Sequence, residues 1–369
     1  MVDVIKTWLG SGQPAILNDD VLWPRRLDEL SPAPLLATGE QASSYYLVDE
    51  ENQGWILKKF FPETQLDSAY VEAIQGLIPK RLGFESGFER QVLQSSSASD
   101  FGYSASEFLA WIEGAILMPQ VMSPTWAEVA ASIREGSAVL STVERLLLCR
   151  KLSEIVGSLE LGGLAHRDLS GANVMMDPLN VEIHLIDWDS LFHAALELPA
   201  NTTCGTRGYV APFVMVDGVA DAHATWQHNS DRFALTALNV ELLNASAGPS
   251  FGSGIPLPDD SPDRSARSLD ALRESLRRSF PAAVEFLDAA VGARSFADCP
   301  SPSNWIDLVE RELESNEQTT WDEASAQAAA EVEELYSADY QPHFVKVNEA
   351  AFVRIKQGAF VRAPAVRWG

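Results

Sequence analysis

The run His166-Arg167-Asp168-Leu169-Ser170-Gly171-Ala172-Asn173 is followed by Val174-Met175-Met176, Asp177-Pro178-Leu179-Asn180, Val181-Glu182-Ile183-His184-Leu185-Ile186 and then Asp187-Trp188-Asp189. Two short apolar runs around a turn-forming Asp-Pro-Leu-Asn predict a β-hairpin. Asn173 and Asp187 stand at the two ends of that hairpin. Upstream, Ser141-Thr142-Val143-Glu144 is a capping-box pattern, and Leu148, Leu152, Ile155 or Val156, and Leu159 recur at helical spacing. This predicts a long helix from Ser141 to Leu161, closed by Gly162-Gly163 just before the loop.

The loop resembles the catalytic loop of protein kinases, H-R-D-L-x-x-x-N, and Asp187 resembles the first residue of that family's D-F-G metal turn. The resemblance implies an α+β, bilobal protein kinase-like fold, with a small β-rich N-lobe and a helical C-lobe. It also implies ATP and Mg²⁺, with Mn²⁺ as a substitute, and a catalytic set of Asp168, Lys58, Asn173 and Asp187. Phosphoryl transfer needs positioning and electrostatic stabilisation more than covalent help. Asp168 would orient the acceptor hydroxyl. Asn173 and Asp187 would offer the hard oxygen ligands that Mg²⁺ prefers.

The N-terminal part supplies the other pieces that the resemblance calls for. Leu35 to Val48 reads as strand, loop, strand, and of the family's phosphate-loop glycines only Gly39 is matched. Gln41 and Ser44 stand where the others belong. Trp55-Ile56-Leu57-Lys58-Lys59-Phe60 resembles the third strand of the N-lobe. Strand alternation puts Ile56 and Lys58 on one face and Lys59 on the other, so Lys58 is the candidate for the phosphates. Glu72, Glu85 and Glu89 compete to be its acidic partner. Glu89, before Val92-Leu93, is the choice, and Asp67 to Leu77 would then be an inserted helix. Ile116-Leu117-Met118-Pro119-Gln120-Val121 resembles the fifth strand and hinge. The carbonyl of Pro119 and the N–H of Val121, beside Met118, suit an adenine edge.

Beyond the metal turn, Gly205-Thr206-Arg207-Gly208-Tyr209-Val210-Ala211-Pro212-Phe213 resembles the end of a kinase activation segment. Asp231 opens an apolar helix, and in the family such an Asp ties down the catalytic-loop backbone. Thr202 and Thr203 are candidate autophosphorylation sites, with Arg167 as the group that would receive the phosphate. The expected layout is an N-terminal strap over 1–34, an N-lobe over 35–120, a C-lobe over 121–315, an acidic helix or linker over 316–341 and a C-terminal β-meander over 342–369. The meander follows from a repeat: Phe344-Val345-Lys346, Phe352-Val353-Arg354 and Phe360-Val361-Arg362 recur every eight residues.

Composition narrows the setting. The chain has 369 residues, 46% of them hydrophobic, and a formal net charge of −25. That charge opposes nucleic acid and anionic lipid. No apolar run is long enough to span a membrane. Three scattered cysteines, Cys149, Cys204 and Cys299, argue for a reducing compartment and against a zinc site, so the expected location is cytoplasmic.

Four departures from the kinase pattern stand out. Ser170 replaces the lysine of Ser/Thr kinases, while Thr206 matches them. Asp189 replaces the glycine of the metal turn, and would either stiffen the turn or bind a second cation. Phe213 replaces the glutamate of A-P-E, and Asp298-Cys299-Pro300-Ser301 lacks that glutamate's arginine, so an apolar contact is expected in its place. The phosphate-loop glycines are thinned out. The wording of the loops resembles a bacterial group of protein kinase-like proteins, whose relatives accompany a metal-dependent phosphatase and a von Willebrand-type domain protein. The leading expectation is a Ser/Thr protein kinase acting on a protein substrate or on itself. A nucleotide-binding scaffold without transfer is the alternative, and a small-molecule phosphotransferase is a third reading.

Overall fold

A computed structural model describes residues 8–9, 13–18, 20–25, 36–39, 41–94, 98–99, 105–178, 180–199, 205–245, 254–256, 262–316, 343–347, 350–356 and 359–362. Thr202, Thr203 and Cys204, and the acidic stretch 317–339, lie outside the described residues. The chain divides into two compact units. The first takes Met1–Met122 and His184–Thr203; the second takes Ser123–Ile183 and Cys204–Gly369.

The first unit is built on a curled antiparallel sheet. Its strands are β1 (Ala15–Leu17), β2 (Asp20–Pro24), β3 (Leu36–Thr38), β4 (Ala42–Val48), β5 (Gly54–Phe60), β6 (Gln91–Val92), β7 (Ala98–Ser99) and β8 (Ile116–Pro119). Their order is β6-β8-β5-β4-β2-β1-β7, with β3 on β4. Ala15–Leu17 and Asp20–Pro24, expected as part of a strap, thus supply two strands of this sheet. Leu17, Leu22, Leu47, Leu57, Leu93, Phe108, Ile112 and Leu117 form the core on one side. Leu57 is fully buried there, so the alternation of β5 sends Ile56 and Lys58 to the opposite face. The unit also carries the helices α1 (Ser68–Leu77), α2 (Glu85–Phe88) and α3 (Ala105–Ile112). Asp67 caps α1 by accepting the Ala69 N–H at 2.7 Å.

The second unit is helical: α4 (Trp126–Arg134), α5 (Thr142–Leu161), α6 (Arg232–Leu243), α7 (Pro262–Ser279), α8 (Pro281–Gly292) and α9 (Pro302–Asn316). The capping box of α5 closes both ways. The Ser141 N–H donates to Glu144 at 2.7 Å, and the Glu144 N–H donates to the Ser141 hydroxyl at 3.2 Å. Gly162 ends the helix, and Gly163 takes φ +72°, a conformation favoured by glycine. The hairpin then forms from Val174–Asp177 and Glu182–Leu185.

Helix α6 is the centre of this unit. Every residue from Phe233 to Leu243 is buried, as expected of a helix packed all round, and α5 and α8 lie against it. One of those residues is Glu241. Its carboxylate accepts from Trp126 Nε1 and from the Tyr209 hydroxyl, each at 2.9 Å, and from the Gly254 N–H at 2.6 Å. Glu241 therefore fastens the start of α4, the end of the activation-like segment and the loop at 254 to one point. Gly254 sits so close to Gly208 that an added Cβ would come within 2.3 Å of its backbone.

Phe213 meets Phe296 edge-on, with ring centroids 4.9 Å apart and planes at 71°. The expected apolar contact is there, where the kinase pattern has a glutamate and an arginine. Residues 343–347, 350–356 and 359–362 form three antiparallel strands in a meander.

The aromatic contact is testable. Phe213→Ala should destabilise the protein by about 1–3 kcal/mol, below the full cost of a buried aromatic because Phe213 is half-buried. Phe213→Glu should be at least as harmful, since it replaces an edge-on ring contact by a carboxylate set against the Phe296 ring. Urea melts of the three proteins give the order.

Candidate functional site

In the first unit, strand β5 delivers Lys58 to two carboxylates. Its ammonium donates to Asp187 and to Asp189, each at 2.6 Å. The neighbouring lysine points elsewhere: Lys59 Nζ donates to the Glu113 carbonyl at 2.6 Å. Asp189 accepts a second cation on its other oxygen, from Arg90 Nη2 at 2.6 Å. Side-chain exposure falls from 39% at Asp187 to 11% at Lys58, 8% at Asp189 and 2% at Arg90. Four formal charges thus balance in a row that runs from a half-exposed end into the interior. Burial pushes the Lys58 pKa down, but Asp187 and Asp189 more than reverse that, and the ammonium is held charged. Burial pushes Asp189 up, but Lys58 and Arg90 hold it well below the usual carboxylate range.

The turn around Asp187 is shaped by strain and packing. Asp187 adopts φ 63°, ψ 62°, a left-handed conformation that L residues seldom take. Such strain persists only where the surroundings over-determine it. Trp188 supplies the constraint. It is buried, its Nε1 donates to the Ser86 hydroxyl and the Leu185 carbonyl, each at 3.2 Å, and its ring lies edge-on to Phe84. Helix α2 comes so near that a Cβ on Gly87 would fall 2.8 Å from Trp188 Nε1.

Glu89, expected as the partner of Lys58, requires correction. It is exposed and caps the end of α2, which is only Glu85–Phe88. A single helical turn does not carry Glu89 to β5, and Asp187 and Asp189 take the lysine instead. Asp189 gives one oxygen to Lys58 and the other to Arg90, an arrangement that ties the turn down, as the stiffening reading of Asp189 expects. Gly39 lies between β3 and β4, and its N–H donates to Ala42 at 2.9 Å. A Cβ there would make only an ordinary contact, so the backbone itself does not demand glycine. Met118 and Pro119 end β8 opposite Ile56 and Trp55, and Val121 follows half-buried.

In the second unit, Asp168 is gripped from two sides. One carboxylate oxygen accepts from the Thr206 hydroxyl at 3.0 Å, and the other accepts from Asn173 Nδ2 at 2.9 Å. Asn173 Nδ2 also donates to the Asp168 carbonyl at 2.8 Å. Both amide protons are therefore used, which leaves the carboxamide oxygen as the side chain's acceptor. Ser170 is 1% exposed and turns inward, so it does not stand in for the lysine that Ser/Thr kinases place there.

The loop backbone hangs from Asp231. This carboxylate accepts the N–H of His166 at 2.6 Å and of Arg167 at 2.8 Å. Arg167 takes φ +66°, and its side chain supports that strain. Nε donates to the Thr225 carbonyl at 3.2 Å, and Nη2 donates to the Thr225 hydroxyl at 2.9 Å and the Ala222 carbonyl at 3.2 Å. The guanidinium also lies over Trp226, 4.5 Å from the ring centroid. One full edge of this guanidinium is thus spent on residues 222–225, which limits it as the phosphate receiver expected from sequence.

Sequence reasoning missed Arg90, and with it the pairing role of Asp189. Two signals were present: an arginine leading into the strand Gln91-Val92, and an aspartate where the family pattern has glycine. Either is ambiguous alone. Their pairing spans 99 positions.

Comparison with known proteins agrees with this geometry at the level of fold. No family model matches the chain. Over 107 residues it is 30% identical to the gamma catalytic chain of phosphorylase b kinase, liver/testis isoform, of Rattus norvegicus and of Homo sapiens. Those matches cover 29% of this chain and 26% of each relative, so the chain spans about a quarter of their length. Among solved structures, the BubR1 kinase domain aligns with a TM-score of 0.51 and 13% identity, covering 87% of this chain and 88% of that one. The PknI kinase domain of Mycobacterium tuberculosis aligns at 18% identity and TM-score 0.47, covering 79% and 95%. The chain has a protein kinase-like fold of mixed α+β class. Among the described residues, no helix is long and apolar enough to cross a membrane.

The Asp231 anchor has a pH signature. Burial pushes its carboxyl up to about 6, against the pull of the two N–H groups and of Arg167. The folded chain then holds this proton to higher pH than the unfolded chain, whose carboxyl titrates near 4. Its contribution is therefore largest below about pH 4 and declines as pH rises to about 6. The stability of the parent relative to Asp231→Asn should be lower at pH 7 than at pH 4.5 by on the order of 2 kcal/mol. Urea unfolding of both proteins at the two pH values measures it.

Proposed function

We propose that this chain is a phosphotransferase that uses ATP and Mg²⁺ to phosphorylate serine or threonine hydroxyls, on a protein partner or on itself. The observation that carries the reading is the setting of Asp168, whose carboxylate is oriented by Thr206 and Asn173 at 3.0 and 2.9 Å. A carboxylate fixed in this way can accept the hydrogen bond of an incoming hydroxyl and take its proton as the oxygen attacks phosphorus.

The oxygen donors suit a hard cation. Asn173 has its carboxamide oxygen left over from its bonds to Asp168, and Asp187 keeps a half-exposed carboxylate. These are the residues that would hold Mg²⁺, which when bound neutralises the charge developing on the phosphoryl oxygens. Lys58 would hold the inner phosphates. The backbone of Gly39 would lie beside them, and Met118, Pro119 and Val121 would line the adenine. Thr206 on Asp168 favours Ser/Thr acceptors in this reading.

A second reading is a scaffold that binds nucleotide without transfer. The Lys58–Asp187 pair favours it, because each group neutralises the other. Intact mass after incubation with ATP and Mg²⁺ separates the two. The phosphotransferase reading expects added phosphate on the parent and none on Asp168→Asn, with peptide mapping to test Thr202 and Thr203. ATP binding without any gain of mass, on the chain or on a general protein acceptor, supports the scaffold instead.

A further inference from the structure

We propose that Arg90 and Asp189 are the positioning pair of Lys58, and that they set this lysine for the phosphates of a bound nucleoside triphosphate in place of a helix glutamate. The proposal rests on the phosphotransferase reading insofar as that reading assigns Lys58 to the phosphates.

Arg90 is the innermost charge of the row. A guanidinium with 2% of its surface exposed needs a carboxylate, and Asp189 at 2.6 Å supplies it. Asp189 has one oxygen left, and that oxygen holds Lys58, also at 2.6 Å. Lys58 is therefore gripped from the interior by an anion that is itself fixed. Its other partner, Asp187, is at the half-exposed end.

Charge explains why Arg90 and Asp189 occur together. With Asp187 included, two cations face two anions. Were Asp187 to take up a metal ion, Lys58, Asp189 and Arg90 would remain, with a net charge of +1. That is the sign a polyphosphate requires. Glycine at position 189 would leave Arg90 buried beside Lys58, two cations with no carboxylate between them. Glutamate from a helix is then unnecessary, in keeping with an exposed Glu89.

The test compares binding of ATP·Mg²⁺ with binding of adenosine, which lacks phosphates. The proteins are the parent, Asp189→Asn, Arg90→Met, Arg90→Lys, Lys58→Met and the Lys58→Met/Asp189→Asn double variant, with melting temperatures as the folding control. If Asp189 acts through Lys58, Asp189→Asn should weaken ATP about tenfold and leave adenosine within about twofold. Adding Asp189→Asn to Lys58→Met should then cost nothing further, since the shared effect is already lost. Arg90→Lys, which keeps the charge, should stay closer to the parent than Arg90→Met. Two folded variants, Asp189→Asn and Arg90→Met, that bind ATP as the parent does would overturn the proposal and leave the phosphotransferase reading intact. Additive losses in the double variant would also overturn it. A parent that binds neither ATP nor adenosine would overturn the reading itself, and the proposal with it.

Discussion

A buried guanidinium has few options. Arg90 cannot shed its proton, and taking it out of water without a partner is strongly unfavourable. Asp189 is the partner, and much of the first unit's site follows from that need. Asp189 lies one residue past Trp188, so anchoring it also anchors the turn. The turn, packed on Ser86 and Phe84, holds Asp187 in a left-handed conformation at the half-exposed end of the charge row. Strand β5 adds Lys58 from the sheet. An ion cluster, a strained backbone and an aromatic wedge are thus parts of one local solution.

The second unit handles buried charge differently. Asp231 and Glu241 both sit at or within α6, and both are satisfied mainly by neutral donors. Asp231 takes two backbone N–H groups; Glu241 takes an indole, a phenol and a backbone N–H. These bonds convert one helix into the frame on which the loop at 166–173 and the segment at 205–213 are hung. Arg167 links the two themes, since its strained backbone is held by Asp231 and its side chain by residues 222–226.

The parts of this design that were legible in sequence are local ones. The capping box of α5 is spelled in four consecutive residues. The hairpin after Asn173 is spelled by its turn, and the choice of Lys58 over Lys59 follows from period-two alternation around a buried Leu57. The expected apolar contact at Phe213 could be anticipated because two departures from a charged pattern cancelled. What was not legible depends on residues far apart. Glu89 is acidic and near an apolar run, yet α2 is one turn long and leaves it at the surface. Arg90, next to it, is the group that matters. Nothing in Gln91-Val92-Leu93 reveals that a partner lies 99 positions on. Residues 15–24 carry strands that pair within the sheet, a fact set by their register with β4 rather than by their own short pattern.

The join between Phe213 and Phe296 gives the end of the activation-like segment a different physics from an ionic one. An ion pair near a surface is screened by dissolved salt. Two rings packed edge to face carry no net charge, so ionic strength passes them by. Their apolar component weakens on cooling instead. This contact, beside the Tyr209–Glu241 bond, is consequently not weakened by charge screening and is responsive to temperature.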